Sequence, residues 1–372
     1  MKFTCEKLLL LSAILTASRA TAAKSPVQLL EGLLLEANEE SVKISGYNLK
    51  TGIVTTVEAE VEKTGEIVLN ARLFGEIVRK MPGQSITVAV NTGLVATISS
   101  DMSEFEIIGS PSSDYPEIPS ADGQDSFEIE EEILKDMISQ TNFAVSDNEA
   151  RPIHTGALFE IGKGELTIVA VDGYRLALRR EKSEKYNYSE FSFVVPGTAL
   201  GELEKIATEG DGVVSITLGP KYIMFTIGDT LLISRRLEGE FLNYRNSIPT
   251  AAKYNLKVAK DDLISAVERV SLIISDKLKS SIRCVFGEGI IKLNTASAIG
   301  KASDECAMEG DGEGLEIGFN DKYLIEALKA APANDVKIEL STGVAPCVIT
   351  PIDGSDNFLY MILPVRLKAY ES

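Results

Sequence analysis

His154 is the only histidine in 372 residues and follows Arg151 by three positions, so no second imidazole is available to build a multi-histidine metal site. Cys5, Cys284, Cys306 and Cys347 lie far apart with no C-x-x-C pair. Small buried thiols in a reducing compartment are expected from that spacing, and structural zinc is not. The chain contains no G-x-x-x-x-G-K-[ST] phosphate loop, no G-x-S-x-G elbow and no H-E-x-x-H, and no G-x-G-x-x-G stands between a strand and a helix. Two starting points for catalysis remain: His154 beside Arg151, and Asp172 within Val171-Asp172-Gly173-Tyr174-Arg175-Leu176. The second reads more naturally as a turn in which Gly173 relieves the backbone. No nucleophile, base and orienting group can be named together, so a non-catalytic role with no cofactor is expected.

The elements that must carry these residues occur three times. A strand runs into a helix at Phe3–Glu6 and Lys7–Ala17, at Phe127–Glu130 and Glu131–Thr141, and at Leu256–Ala259 and Lys260–Ile273. Further along each copy a second strand and helix follow: Ile67–Asn70 with Arg72–Lys80, Phe193–Pro196 with Ala199–Ala207, and Glu316–Asn320 with Lys322–Ala330. Each second helix leads into another strand, Ser85–Val90, Val213–Leu218 and Val336–Leu340. An offset of about 125 residues is too long for a solenoid repeat and suits a whole domain. In the first copy, short strands are expected at Leu33–Glu36, Ser41–Tyr47, Ile53–Val61, Ile67–Leu69, Ile86–Val90, Val95–Ser99 and Phe105–Gly109. The pattern predicts an α+β protein of three repeated domains, each with two helices on one face of antiparallel sheets, spanning 1–122, 123–246 and 247–372. The linkers, Ser110–Asp125 and Leu242–Tyr254, contain prolines (Pro111, Pro116, Pro119; Pro249) that stiffen the connections.

With 44% hydrophobic and 25% charged residues, each third has enough apolar material for a core. A net charge of -18, from 55 acidic and 37 basic residues, argues against a uniformly basic nucleic-acid binder, so any polyanion contact must be local. The first residues imitate a secretory signal, with Lys2, the apolar run Leu8–Ala17 and then Ser18-Arg19-Ala20. Glu6 and Lys7 abut that run, and the segment fills the strand-and-helix slot of the other two copies. Retention of the segment is therefore expected; an exported three-module binding or scaffold protein is the alternative. No stretch reaches the roughly 18 apolar residues that a membrane span requires.

Several segments carry a specific resemblance, in order and spacing, over the whole chain. They are Ser18-Arg19-Ala20 with Ala23-Lys24-Ser25 before Leu29-Leu30-Glu31-Gly32-Leu33-Leu34-Leu35-Glu36, Ser113-Asp114-Tyr115-Pro116, Asn148-Glu149-Ala150-Arg151-Pro152-Ile153 and Gly156-Ala157-Leu158-Phe159-Glu160. Val171 to Ala177, Gly239-Glu240-Phe241-Leu242-Asn243-Tyr244, Ile248-Pro249 and Leu363-Pro364-Val365-Arg366-Leu367 complete the set. The chain resembles the bacterial DNA polymerase III beta subunit family, the sliding clamps. The resemblance implies a DNA clamp fold and a head-to-tail homodimer whose six domains form a ring around duplex DNA, helices lining the hole. It also implies a cytoplasmic, nucleoid-associated processivity subunit that binds double-stranded DNA without sequence specificity and has no membrane partner.

Such a ring holds DNA by encirclement, which needs only modest attraction to phosphates and suits an acidic exterior. The basic residues on or just after the helices are Arg19, Lys24, Arg72, Arg79, Lys80, Lys135, Arg151, Lys205, Lys277, Lys279, Arg283, Lys322 and Lys329. The second helix of copy two departs from the pattern, with Glu202, Glu204, Glu209 and Asp211 around Lys205. By the resemblance, Lys24 and Arg151 take the family's DNA-contacting positions, and Ile153 and His154 stand where the family has aromatic residues near duplex or pocket. A hydrophobic pocket between domains two and three would capture short linear peptides of the replicative polymerase, the clamp loader and repair proteins. Carried over by position, it comprises His154, Val171, Gly173, Tyr174, Arg175, Leu176, Leu242, Asn246 and Ser247, with Pro346, Met361, Leu363, Pro364, Val365 and Arg366. Leu242 stands where the family usually has proline, and Asn246 and Ser247 replace a more basic and apolar pair. The dimer seam, on the same basis, brings Phe105 and Ile107 of one protomer to Leu272 and Ile273 of the other, with Glu104, Glu106, Lys277 and Lys279 at its rim.

Overall fold

The structure, a computed structural model, describes residues 1–120, 126–207, 212–274 and 281–367. Six α-helices are present among them: α1 (Lys7–Ser18), α2 (Ala71–Lys80), α3 (Glu131–Ser139), α4 (Gly197–Ile206), α5 (Lys260–Ser271) and α6 (Asp321–Ala330). They fall in the pairs that the threefold repeat predicts, and their starts repeat at the level of single bonds. The amide at the first residue of α1, α3 and α5 donates to a carbonyl in the loop after the copy's second helix: Lys7 to Gln84, Glu131 to Gly212, Lys260 to Asn334. Lys7 Nζ also reaches the Met81 carbonyl at 2.5 Å and Lys260 Nζ the Ala331 carbonyl at 2.6 Å, so each lysine caps the C-terminus of the neighbouring helix. Asn70 and Asn320 cap α2 and α6 by accepting from the Leu73 and Tyr323 amides. Pro196 stands at that position in copy two.

By its contacts the chain divides into two compact units, Met1–Lys135 with Ala199–Arg236, and Asp136–Thr198 with Leu237–Ser372. The first holds a five-stranded and an eight-stranded antiparallel sheet. The eight-stranded sheet passes from copy one into copy two through a ladder between Thr51–Glu58 and Thr230–Arg235, in register Thr55 to Thr230 and Gly52 to Ile233. The threonine hydroxyls of that first pair lie 3.0 Å apart. One expected strand, Ile53–Val61, is in fact two. The chain turns at Ala59, whose amide donates to the Glu40 carbonyl, so Thr51–Glu58 stays in the larger sheet while Glu60–Lys63 pairs with Lys2–Glu6 in the smaller. Both sheets share a core of Phe3, Leu10, Ile14, Leu33, Ile44, Phe74, Ile86 and Ile98 with α1 and α2. One face of residues 1–18 therefore belongs to the core: Phe3 pairs with Val88, and Leu10, Ile14 and Ala17 are fully buried.

Close approach fixes α1 in this unit. A Cβ on Gly46 would lie 2.1 Å from the Ala17 carbonyl oxygen, and one on Gly75 would lie 3.3 Å from Ile14 Cγ2. Glycine is what lets strand Ser41–Tyr47 and helix α2 come this near to α1.

In the second unit one ten-stranded sheet passes from copy two into copy three through Arg175–Lys182 against Phe358–Ile362, in register Leu176 to Met361. Strands Ile282–Ser297 and Gly300–Phe319 form a long hairpin with irregular pairing between Phe286 and Ile290. Fully buried Tyr360 donates its hydroxyl to the Ala330 carbonyl at 3.0 Å and so ties the last strand to the end of α6. No helix of the described residues is long and apolar enough to cross a membrane.

Candidate functional site

The residues expected to form a peptide pocket fall in the second unit, and the sheet junction draws many of them together. Val171, Leu176 and Met361 are buried in one apolar cluster with Leu158, Val348 and Tyr244, and Leu363, Phe241, Ile248 and Ile153 pack against it. The backbone holds the rim: the Leu363 amide donates to the Tyr174 carbonyl at 2.8 Å and the Val365 amide to the Gly318 carbonyl at 2.8 Å. Pro364 and Val365 are half-buried and Arg366 is exposed, while Pro346 immediately precedes strand Cys347–Thr350. On the open side stand Tyr174, 63% exposed, and Leu242, 44% exposed, with Asn246 and Ser247 exposed in the short turn Tyr244–Ser247. His154, in the turn Pro152–Thr155, meets Phe241 edge to face at 5.5 Å. Burial, and then the Arg151 charge, hold its imidazole below its ordinary range.

Arg175, expected at the pocket, is bonded within the protein. Its Nε donates to Asp172 Oδ2 at 2.9 Å, its Nη2 to the Phe143 carbonyl at 2.6 Å and its Nη1 to Glu326, and the guanidinium lies 4.4 Å from the Tyr323 ring centre. Its donors are thus spent within the protein, and it braces the turn that presents Tyr174. Asp172 completes that turn by accepting from the Tyr174 and Arg175 amides at 2.8 and 3.0 Å, and Gly173 takes φ +92°. These bonds give Asp172 a structural task. Phe241, Tyr323 and Phe143 are site residues that the sequence did not single out: Tyr323 lies on α6, far in sequence from the turn it supports. Phe241, beside Leu242 in the Gly239–Tyr244 segment, was within reach of a reading by apolar character.

The basic candidates divide between the units. In the first, Arg19 closes α1, Lys24 is exposed just beyond it, and Arg72, Arg79 and Lys80 are exposed on α2. Several expected cations are paired with acids: Arg79 with Glu76 at 2.5 Å, Arg19 and Lys205 with Glu202 at 3.3 and 2.8 Å, and, in the second unit, Lys329 with Glu268 at 2.7 Å. Arg151 is exposed before the Pro152–Thr155 turn. Ile153, expected near the duplex or the pocket, is partly buried against the apolar cluster. Arg283 lies on a strand and pairs with Glu316 at 2.8 Å. Lys135 is on α3 and Lys322 on α6, while Lys277, Lys279, Glu209 and Asp211 lie outside the described residues.

Of the seam candidates, Phe105 is 46% exposed on Ser103–Ile108, an edge strand of the five-stranded sheet, and Ile107 packs partly on the core. Leu272, just past α5, is 83% exposed and Ile273 half-buried. Among the described residues no group of three or more His, Cys, Asp or Glu side chains is arranged to hold a metal ion. All four cysteines are free and buried, and burial pushes the thiols up, Cys347 to about 12 and Cys306 to about 11.

Comparison with known proteins gives the family. Three family models match in order: the N-terminal domain of the DNA polymerase III beta subunit over residues 1–119, its central domain over 128–243 and its C-terminal domain over 245–366. The beta sliding clamp of Halalkalibacterium halodurans is 33% identical, over 98% of this chain and all of the relative. That of Staphylococcus aureus is 30% identical over 98% and 99%. The crystal structure of the Bacillus subtilis DNA polymerase sliding clamp superposes with a TM-score of 0.94 at 28% identity, covering 99% of this chain and 100% of that one. From its first strand to its last, this chain belongs to the DNA polymerase III beta subunit family, the beta sliding clamps.

Proposed function

We propose that two copies of this chain join head to tail into a ring that encircles duplex DNA and tethers the replicative polymerase. The chain is a non-catalytic DNA sliding clamp; the ring, the dimer and the particular contacts are our reading. Its domains are assigned to 1–122, 123–246 and 247–372. The clamp loader and repair proteins would share the polymerase's site by presenting short linear peptides, and the protein would work in the cytoplasm, on the nucleoid during replication.

One observation carries the ring. Each junction inside the chain joins the fourth strand of one copy to the last strand of the next: Thr51–Glu58 to Thr230–Arg235, and Arg175–Lys182 to Phe358–Ile362. In copy three the long strand Ile282–Ser297 takes the place of the second and third strands, so by the same rule the Gly300 end of Gly300–Phe319 should meet the last strand of a first copy, Ser103–Ile108. That strand is a sheet edge carrying exposed Phe105 and Ile108, and an edge of this kind calls for a partner. Two such contacts, each the same and each heterologous, close a ring of six copies. Phe105, Ile107, Leu272 and Ile273 form the apolar part of the seam.

Encirclement relieves the inner wall of tight binding. Arg19, Lys24, Arg72, Arg79, Lys80, Arg151, Lys277, Lys279 and Arg283 supply the phosphate attraction, without base contacts that would stop sliding. The cluster around Val171, Leu176, Met361 and Leu363, rimmed by His154, Tyr174, Leu242, Asn246, Ser247, Pro346 and Arg366, supplies the apolar anchor for partner peptides. Sedimentation equilibrium tests the dimer. The wild type should have twice the 40.2 kDa chain mass, and Leu272→Asp, which places a charge in an apolar seam, should weaken the dimer at least about 100-fold. A wild type that is monomeric at micromolar concentration contradicts the reading.

A further inference from the structure

We infer that Glu202 acts as a brake on DNA grip, holding two cations of the clamp's inner wall, Arg19 and Lys205, away from phosphate. The inference rests on the proposal that the helices face encircled DNA. Glu202 sits on α4 in copy two with its side chain 23% exposed. One carboxylate oxygen accepts from Arg19 Nη1 at 3.3 Å and the other from Lys205 Nζ at 2.8 Å. Both cations are more open than the acid, at 40% and 54%, so they are placed to turn to a phosphate if released.

The arrangement matters because α1 has little else to offer. Its exposed face is Leu8, Leu9, Ser12 and Leu15, and its one lysine, Lys7, donates its ammonium to the Met81 carbonyl. Arg19 is thus the cation through which the α1 segment can meet a phosphate, and it shares Glu202 with the one lysine of α4. A carboxylate between two cations adds a negative charge near an approaching phosphate and leaves less than two charges to attract it. Exposed ion pairs of this kind contribute little to folding, so the acid can be changed without loss of the fold.

Asp356 provides an internal control with the same chemistry elsewhere. It accepts from Arg180 Nη1 at 2.6 Å and Lys182 Nζ at 2.8 Å, cations at the end of a strand instead of a helix. Glu202→Gln and Asp356→Asn each remove one negative charge from a carboxylate that bridges two cations, so the net charge of the protein changes equally, although Arg180 keeps a second pair with Glu165 at 3.0 Å.

The test is fluorescence anisotropy of the full-length protein on a short linear duplex over a salt series. For Glu202→Gln the dependence of log affinity on log salt should steepen by up to about 1.8, two phosphates at ~0.9 each. The gain over wild type should then widen about tenfold between ~200 and ~50 mM salt. Asp356→Asn should follow the wild type, and adding Arg19→Gln and Lys205→Gln to Glu202→Gln should abolish the gain. A Glu202→Gln slope equal to wild type, or an equal gain in Asp356→Asn, overturns the inference. Retention of the wild type on circular DNA, measured alongside, separates the two levels. A wild type that stays on circles while Glu202→Gln shows no steepening overturns the brake alone, and a wild type lost equally from circles and linear DNA overturns the clamp reading beneath it.

Discussion

At the scale of single residues, His154 gives the clearest physical signal. It is the only histidine, so its titration is observable without interference. Burial and Arg151 depress its folded pKa below the ordinary 6.5. Between that depressed value and 6.5 the unfolded chain binds more protons than the folded one, so stability rises with pH across the window. The contribution is intact above 6.5 and fully lost below the folded value. Wild type minus His154→Gln should show this slope in urea titrations, and the imidazole NMR midpoint should fall below 6.5; a midpoint at or above 6.5 contradicts the assignment. The shift was not legible in the sequence, because the burial that chiefly causes it depends on a fold that brings residues such as 154 and 241 together. Asp172 was legible for the opposite reason. Its bonds are to Tyr174 and Arg175, within the same turn, and local chemistry determines them.

Elements were legible where the same strand-and-helix pattern recurred in each copy, as at α2 and α6, whose starts the structure shows capped by Asn70 and Asn320. Changes of sheet were not. Ile53–Val61 reads as one alternating strand because the alternation survives the turn at Ala59, and only the choice of partner, Thr230–Arg235 or Lys2–Glu6, separates its two halves. The packing of α1 on its sheet was also hidden, since Gly46 inside a strand has several explanations in sequence alone. In the fold it has one, the Ala17 carbonyl 2.1 Å from where a Cβ would be. Both groups belong to backbone, so neither can yield by changing rotamer. Gly46→Ala should therefore push α1 from strand Ser41–Tyr47 and cost about 3 kcal/mol in urea unfolding. A loss under ~0.5 kcal/mol would show that the approach is looser than described.

For the whole molecule, the threefold repeat was visible in sequence, but the division into two compact units was not. Proline-containing linkers suggested stiff joints between separate domains. Sheet ladders cross the joints instead, so copy two gives Thr230–Arg235 to the first unit and Arg175–Lys182 to the second. A ladder between copies has no sequence signature, because each strand looks like any other half-buried strand until its neighbour is known. The same rule carried once more, from copy three to a second chain, would produce the ring that the proposed function requires. Retention on DNA tests it most directly. Protein loaded onto nicked circular duplex, purified at moderate salt and then treated with a nuclease that cuts the circle once, should remain on the intact circle and leave the linear form. Equal retention on both would mean that adhesion holds the protein, and would contradict encirclement.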